Sequence, residues 1–132
     1  MLHPNQFEVN EAWIAFRLNR VPIRTAREGN FNCIALMDAA SCFILGSEFI
    51  PVALTEPTRA QFRRMLEDAK RHKHQLPKTL FVSRDDVADQ VTLEATQQRI
   101  NVARVPESDL LIFIREARDA FAEHFEGPRR DA

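Results

Sequence analysis

The sequence has few glycines, and those few lie far apart. Only Gly29, Gly46 and Gly127 occur in the whole chain. A loop that cradles phosphate groups and the dinucleotide-binding fingerprint both need glycines that are close together in sequence. The sequence therefore predicts neither kind of nucleotide site.

Cysteine is also scarce. The sequence contains only Cys33 and Cys42, with no CxxC and no HxxxH pattern, so we expect no structural zinc site. A hairpin that turns through residues 38–41 pairs Met37 with Cys42 and puts Cys33 opposite Gly46, which keeps the two sulfur atoms apart. Both cysteines are therefore predicted to be reduced and buried as small apolar residues.

Neither an excess of one charge nor a long apolar run is present. The chain has 18 basic and 19 acidic residues and a net charge of -1, which gives no global attraction to nucleic acid or to an anionic membrane. No apolar run reaches the roughly 18 residues that span a bilayer. The first residues have neither the basic nor the apolar region of a signal peptide. We therefore expect a soluble, cytoplasmic protein that does not bind a membrane.

What the sequence does contain is enough apolar material for one core. It has 132 residues, of which 45% are apolar, including ten phenylalanines. This amount is typical of one domain of ordinary density. We predict a single α/β domain over residues 1–132, with loosely ordered ends at 1–10 and 127–132.

Residues 11–20 fit two periods. Ile14, Phe16 and Leu18 alternate as in a strand. Ile14, Leu18 and Val21 also lie on one helical face. We favour a strand for this segment and keep the helix as the alternative.

The remaining patterns predict a β-hairpin followed by alternating helices and strands. Residues 31–37 are almost wholly apolar, as expected of a strand covered on both faces, and residues 43–52 form its partner. Thr58 followed by Gln61 is a capping-box pattern that begins a helix. The later elements are a strand at 79–82, a helix capped by Asp85 or Asp86, a strand at 100–105, and a helix from Ser108 or Asp109 to Gly127.

This order of elements predicts the fold class. It is an α/β fold with a mixed sheet, in which an antiparallel hairpin is followed by helix, strand, helix, strand and helix. The connection between the last two strands is expected to be a parallel, right-handed crossover.

Three stretches of the predicted strands carry a resemblance to a known family. They are Met37-Asp38-Ala39-Ala40-Ser41-Cys42-Phe43-Ile44-Leu45-Gly46, Leu80-Phe81-Val82-Ser83-Arg84-Asp85-Asp86, and the segment from Arg99 to Pro106. Together they resemble the ribonuclease H-like superfamily, in particular the integrase and transposase cores. In those cores an Asp ends the first strand, a second catalytic Asp ends the fourth strand, and a third carboxylate lies in the helix after the fifth.

The resemblance implies a candidate catalytic and metal-binding set. It consists of Asp38, Asp86 and Glu116, with Asp85 as the alternative to Asp86. Two divalent ions about 4 Å apart need several carboxylates from strand ends to activate a water and to stabilise the leaving oxygen of a phosphodiester. In this interpretation the cofactor is Mg²⁺ or Mn²⁺. The structural alternative is a turn role for Asp38, helix capping by Asp85 or Asp86, and a solvated position for Glu116.

A basic stretch in the predicted first helix is a second candidate site. The residues that could follow a nucleic-acid backbone are Arg63, Arg64, Lys70, Arg71 and Lys73. Glu67 and Asp68 interrupt this stretch, and the outer face of a helix often carries such charges. The favoured interpretation is a solvated face, with nucleic-acid binding as the alternative.

The chain departs from the integrase pattern in two respects. Integrase cores commonly have Asn-Gly after the second Asp, whereas Val87 and Ala88 follow Asp86 here. One of the three expected antiparallel strands is missing or has moved to the N-terminus. We therefore predict a degenerate, non-catalytic binding or regulatory domain without a cofactor, whose partner is an unknown protein or a second copy in a homodimer. The alternative is a divalent-metal-dependent nuclease or strand-transfer core that acts on nucleic acid.

Overall fold

The structure is a computed structural model that describes residues 2–125. The predicted loose end at 127–132 and the predicted helix end at Gly127 lie outside these residues. Among the helices that are described, none has the length and apolar character needed to cross a bilayer.

Within this range, one mixed sheet of six strands is covered by three α-helices. The strands are β1 (Ala12–Arg17), β2 (Ile23–Arg24), β3 (Asn30–Asp38), β4 (Ile44–Pro51), β5 (Thr79–Ser83) and β6 (Asn101–Val105). The helices are α1 (Arg59–Lys73), α2 (Asp89–Gln97) and α3 (Glu107–Phe125), and a 3-10 turn at Pro4–Gln6 precedes β1.

The strand order is β2-β3-β1-β5-β6, and β4 also pairs with β3. The pairs β1 with β3 and β3 with β4 are antiparallel, whereas β1, β5 and β6 run parallel. The predicted mixed sheet, with a hairpin followed by helix, strand, helix, strand and helix, is confirmed.

Strand β1 is the centre of the sheet and is buried on both faces. Trp13 and Ala15 belong to the cluster of side chains beneath α1 and α2. Ile14 and Phe16 belong to the cluster beneath α3. This confirms the strand favoured for residues 11–20, and it shows that the expected third antiparallel strand lies at the N-terminal side of the hairpin.

The lead-in before β1 is partly packed against the core. The ring of Phe7 lies 5.7 Å from that of Phe81 in an edge contact and 6.2 Å from that of Phe113. Residues 1–10 were expected to be loosely held, but Phe7 contacts both the sheet and α3.

The turn of the β3–β4 hairpin differs from the predicted one. Met37 pairs with Ile44, and the register then shifts so that Leu36 pairs with Gly46. The predicted pairing of Met37 with Cys42 is therefore wrong, because the turn lies one residue further along: the N–H of Asp38 donates to the carbonyl of Phe43 at 2.9 Å, so residues 39–42 form the turn. The bulge between Leu36 and Met37 then adds one residue to β4. Cys33 is buried opposite Phe49, and both cysteines are free.

The ends of the helices confirm one capping prediction and correct another. Thr58 and Gln61 form the predicted capping box of α1. The second helix, α2, begins at Asp89, and Ala88 before it makes no side-chain cap. The predicted capping by Asp85 or Asp86 is therefore wrong, because the helix starts later than the sequence pattern suggested.

A buried carboxylate joins α1 to α2. The Glu94 side chain is fully buried. Arg63 donates to it from Nε at 3.2 Å and from Nη2 at 3.1 Å, and Gln98 Nε2 donates at 3.0 Å. The Arg63 hydrogen bond is the main cause that holds the pKa of Glu94 below its ordinary value, against the opposing effect of burial.

We predict that Glu94 makes the free energy of unfolding depend on pH in the acid range. A folded-state pKa below the unfolded one means that the carboxylate stabilises the fold above its unfolded pKa, and that this contribution is lost as pH falls through the folded pKa. Glu94→Gln should cost about 1 kcal/mol near about pH 7, a value reduced because Arg63 is half exposed. The difference from wild type should shrink near about pH 3 in urea unfolding. An equal difference at both pH values would contradict this role.

Candidate functional site

Asp38 holds two segments together at one end of the sheet. Its side chain is fully buried. Oδ1 accepts the backbone N–H of Asn10 at 2.7 Å, and Oδ2 accepts the N–H and hydroxyl of Ser41 at 2.9 and 2.7 Å. Asp38 therefore ties the start of β1 to the β3–β4 turn and is more than a turn residue.

The structure does not bring the three predicted carboxylates together. Asp38 pairs with Trp13 near the start of β1, whereas Asp86 follows the carboxyl end of β5, which runs parallel to β1. At about 3.3 Å per residue, the length of β1 separates the position of Asp38 along the strands from that of Asp86 by more than about 10 Å. Asp38 and Asp86 thus lie at opposite ends of the sheet.

Glu116 lies towards the end that carries Asp38. Its side chain is exposed on α3. Burial is the main cause that raises the pKa of the Cys42 thiol, and the charges of Asp38 and Glu116 raise it further. Within residues 2–125, no group of three or more His, Cys, Asp or Glu side chains is arranged to hold a metal ion.

A cleft of about 360 Å³ opens at the other end, beside the carboxyl ends of β1 and β5. In open α/β sheets this edge of the parallel strands is the usual place for a ligand. Two connections border the cleft: residues 52–57 between β4 and α1, and residues 85–88 between β5 and α2. Its lining is mostly apolar, and Arg17, Asn32, Glu56, Asp85 and Asp86 contribute polar groups.

Asp86 is a half-buried carboxylate without a partner in the described part of the chain. No hydrogen bond or ion pair between residues 2 and 125 reaches its side chain or that of Asp85, which is exposed. Burial is the main cause that raises the pKa of Asp86, and the charge of Glu107 raises it further, while Arg17 and Arg118 oppose this effect.

Arg118 joins the end of β1 to the start of α3. Its Nε donates to the carbonyl of Arg17 at 3.0 Å, and its Nη2 donates to Glu107 Oε1 at 3.2 Å. The guanidinium carbon lies 5.9 Å from the centre of the Phe16 ring. The side chain is only 11% exposed, so this cation is largely buried and fixed by both contacts.

Arg104 shapes the connection that carries the two aspartates. Its Nη2 donates to the carbonyls of Ser83 at 3.2 Å and Arg84 at 3.5 Å, and also to the carbonyl of Asp86. Its Nε is buried, with no partner among the described residues. Arg104 therefore orders the backbone on which Asp85 and Asp86 lie.

Glu56 caps α2 from a distant part of the chain. Its Oε2 accepts the N–H of Asp89 at 3.0 Å, and its Oε1 accepts those of Gln90 at 2.8 Å and Val91 at 3.0 Å. A carboxylate at this position satisfies free N–H groups and complements the helix dipole. Glu56 thereby fixes the 52–57 wall of the cleft to α2.

Most of the basic residues predicted to bind nucleic acid have partners within the chain. Arg63 contacts Glu94, Arg64 contacts Glu48 at 3.4 Å, and Arg71 contacts Asp68 at 2.9 Å. Lys73 lies 5.4 Å from the centre of the Phe43 ring, and Lys70 is exposed. A role in binding nucleic acid stays a prediction.

Several residues of the site were not found by sequence reasoning. Glu56 contacts α2 residues that are more than 30 positions away in the sequence, and Arg118 contacts Arg17, which is about a hundred positions away. No local pattern marks such pairs. The one available signal was the absence of a capping residue at Ala88, which required an acceptor from elsewhere.

Comparisons with known proteins agree with this topology. A chain of the simian T-cell lymphotropic virus intasome, solved in complex with the PP2A regulatory subunit B56 gamma, matches 87% of this chain with a TM-score of 0.59 and 10% identity. This chain covers 39% of that one. The dimeric HTLV-2 integrase catalytic core domain, solved with magnesium, matches 83% of this chain and 82% of its own length, with a TM-score of 0.52 and 11% identity.

The chain has the ribonuclease H-like fold. At these identities the likeness concerns the fold alone. No protein-family model matches the sequence, and no curated protein is significantly similar to it.

The ribonuclease H-like fold changes the place where a metal-binding carboxylate is expected. The resemblance expects an Asp at the end of the first strand, and that strand is β1, whereas Asp38 ends β3. Strand β1 reads Ala-Trp-Ile-Ala-Phe-Arg and has no acidic residue. Phe16 and Arg17 lie at its end, so β1 supplies no carboxylate there.

We predict that Asp38→Asn destabilises the protein. An amide can accept only through its one oxygen, so its NH₂ group would face a donor of Asn10 or Ser41. The expected loss is about 1 to 3 kcal/mol in urea unfolding. Asp119→Asn is the control, because Asp119 is exposed and contacts only Arg20 among the described residues. A change for Asp38→Asn as small as that of the control would contradict the proposed role.

We also predict a local effect of Glu56→Gln. The amide removes the charge and one of the two accepting oxygens, so the first turn of α2 should be less protected and stability should fall by about 0.5 to 2 kcal/mol. Amide hydrogen exchange should become faster at Asp89, Gln90 and Val91. Glu67→Gln, at an exposed position on α1, should leave these rates unchanged.

Proposed function

We propose that this protein is a non-catalytic binding domain that uses the cleft at the carboxyl ends of β1 and β5. The observation that carries this proposal is the end of β1, where Phe16 and Arg17 stand in place of an acidic residue beside a mostly apolar cleft. The partner is proposed to be another protein.

The charges around the cleft support binding without a metal. Two-metal phosphodiester chemistry depends on several carboxylates that converge on the ions. Here Glu107 forms an ion pair with Arg118, and the charges of Arg17 and Arg118 both act on Asp86. These two cations offset part of the negative charge at Asp86 but form no ion pair with it within residues 2–125.

The surface of the cleft also favours binding. Ligand sites are typically concave and mostly apolar, with a few placed polar groups. Val52, Leu54 and Val87 line this cleft and remain 41%, 37% and 47% exposed. A ligand in the cleft would cover these side chains.

The alternative function is a divalent-metal-dependent nuclease or strand-transfer core. The raised pKa of Asp86 favours it, because Glu107 and Asp85 contribute to that rise and a divalent cation would relieve the repulsion. In that case Mg²⁺ or Mn²⁺ would bind at Asp86 and not across the distance to Asp38.

A second copy of the chain is the other partner to consider. Ile112 on α3 is 51% exposed, and burial of such a side chain would stabilise a dimer. A homodimer through this helix stays a prediction.

Thermal melting with Mn²⁺ tests the proposed function. Ligand linkage raises the melting temperature only when the folded state binds the ion in preference to the unfolded state. We expect no rise for wild type or Asp86→Asn in millimolar Mn²⁺, and no cleavage of plasmid DNA. A rise in wild type and in the control Asp68→Asn that is lost in Asp86→Asn would support the nuclease instead.

A further inference from the structure

The cleft has an apolar floor and an apolar rim. Ile34, Ile50 and Val82 lie along the strands that form the floor, and the exposed Leu54 and Val87 lie on the two bordering connections. Removing such side chains from water is favourable in proportion to the area covered. The body of a ligand that fits here is therefore apolar.

The charge available to a ligand in the cleft is negative. Both carboxylate oxygens of Glu56 are used by the first turn of α2. The side chains of Asp85 and Asp86 have no hydrogen bond or ion pair within residues 2–125, although their backbone groups do. Arg17 is the one cation among the lining residues of the described chain, against the two carboxylates of Asp85 and Asp86. Arg118 also acts on Asp86, but its charge is offset by its ion pair with Glu107.

This balance disfavours an anionic ligand and favours a cationic one. A phosphate in the cleft would lie beside Asp85 and Asp86, and the α2 N-terminus that could attract it is already filled by Glu56. A guanidinium or an ammonium group would instead pair with the half-buried Asp86, whose unpaired state is unfavourable. A metal ion is a poor match because the described residues offer no group of three ligands.

The size of the cleft limits what enters it. A volume of about 360 Å³ is at the lower end for ligand sites. It accommodates one or two side chains, and the exposed rim beyond it offers further contact to the backbone of an extended segment. This combination is typical of a site that anchors a short stretch of a partner.

We propose that the cleft binds an extended segment of a partner protein in which an apolar residue adjoins a lysine or an arginine. The apolar side chain enters between the 52–57 and 85–88 connections. The cationic side chain pairs with Asp86 and Asp85 at the edge of the cleft. This inference rests on the proposed function as a binding domain and names the chemistry of the partner.

Amide NMR titrations of the isotope-labelled protein test the inference with three blocked dipeptides as probes. They are acetyl-leucyl-arginine amide, acetyl-leucyl-glutamine amide and acetyl-glycyl-arginine amide. We expect the leucyl-arginine probe to shift amides at 52–56 and 85–88, and each of the other two to bind at least about 10-fold more weakly. Asp86→Asn should weaken binding of the leucyl-arginine probe about 10-fold. Asp68 is an exposed carboxylate on α1, so Asp68→Asn should leave this binding unchanged.

The same spectra show whether each variant is folded, so an effect of Asp86→Asn cannot be mistaken for unfolding. Equal binding of the glutamine probe would overturn the cationic part, and equal binding of the glycyl probe would reduce the site to one for small organic cations. No shift with any probe up to about 10 mM, together with no response to Mn²⁺, would overturn the peptide inference and leave the binding function standing. A rise in melting temperature with Mn²⁺ that is lost in Asp86→Asn would overturn both the peptide inference and the proposed binding function.

Discussion

The structure depends on the burial of β1 between β3 and β5. This strand pairs antiparallel on one side and parallel on the other, and its side chains alternate between the two core clusters. Every helix packs against a face of the sheet that β1 helps to form. Because Trp13, Ile14 and Phe16 are all buried apolar groups, an ionised carboxylate within this strand would be costly to desolvate. The apolar character that stabilises β1 therefore also limits the chemistry at its end.

Around this strand the charged groups are largely paired within the chain. Glu94 joins α1 to α2 through Arg63, Glu107 is held by Arg118, and Glu56 satisfies the first turn of α2. These contacts fix the helices and the connections that border the cleft. Asp85 and Asp86 differ because no such contact reaches their side chains within residues 2–125. Their position in a mostly apolar cleft is what makes this edge of the sheet the candidate site.

The likeness to the integrase structures concerns the fold alone. The two matched chains have TM-scores of 0.59 and 0.52 with this one, but only 10% and 11% of residues are identical. One fold can serve unrelated functions, so activity has to be argued from the site. Here the end of β1 carries Phe16 and Arg17, and Arg118 forms an ion pair with Glu107 nearby.

The sequence by itself determined the local elements, because period and capping act over a few residues. The strands at 31–37 and 43–52, the Thr58–Gln61 cap and the order of helices and strands were all predictable in this way. It also indicated β1, although two periods competed there. Only the tertiary structure decided that Asp38 is a buried hydrogen-bond acceptor at one end of the sheet, while Asp86 lines a cleft at the other. Contacts such as Glu56 with α2 join residues more than 30 positions apart, and no local pattern encodes which distant side chains meet when the sheet closes over its core.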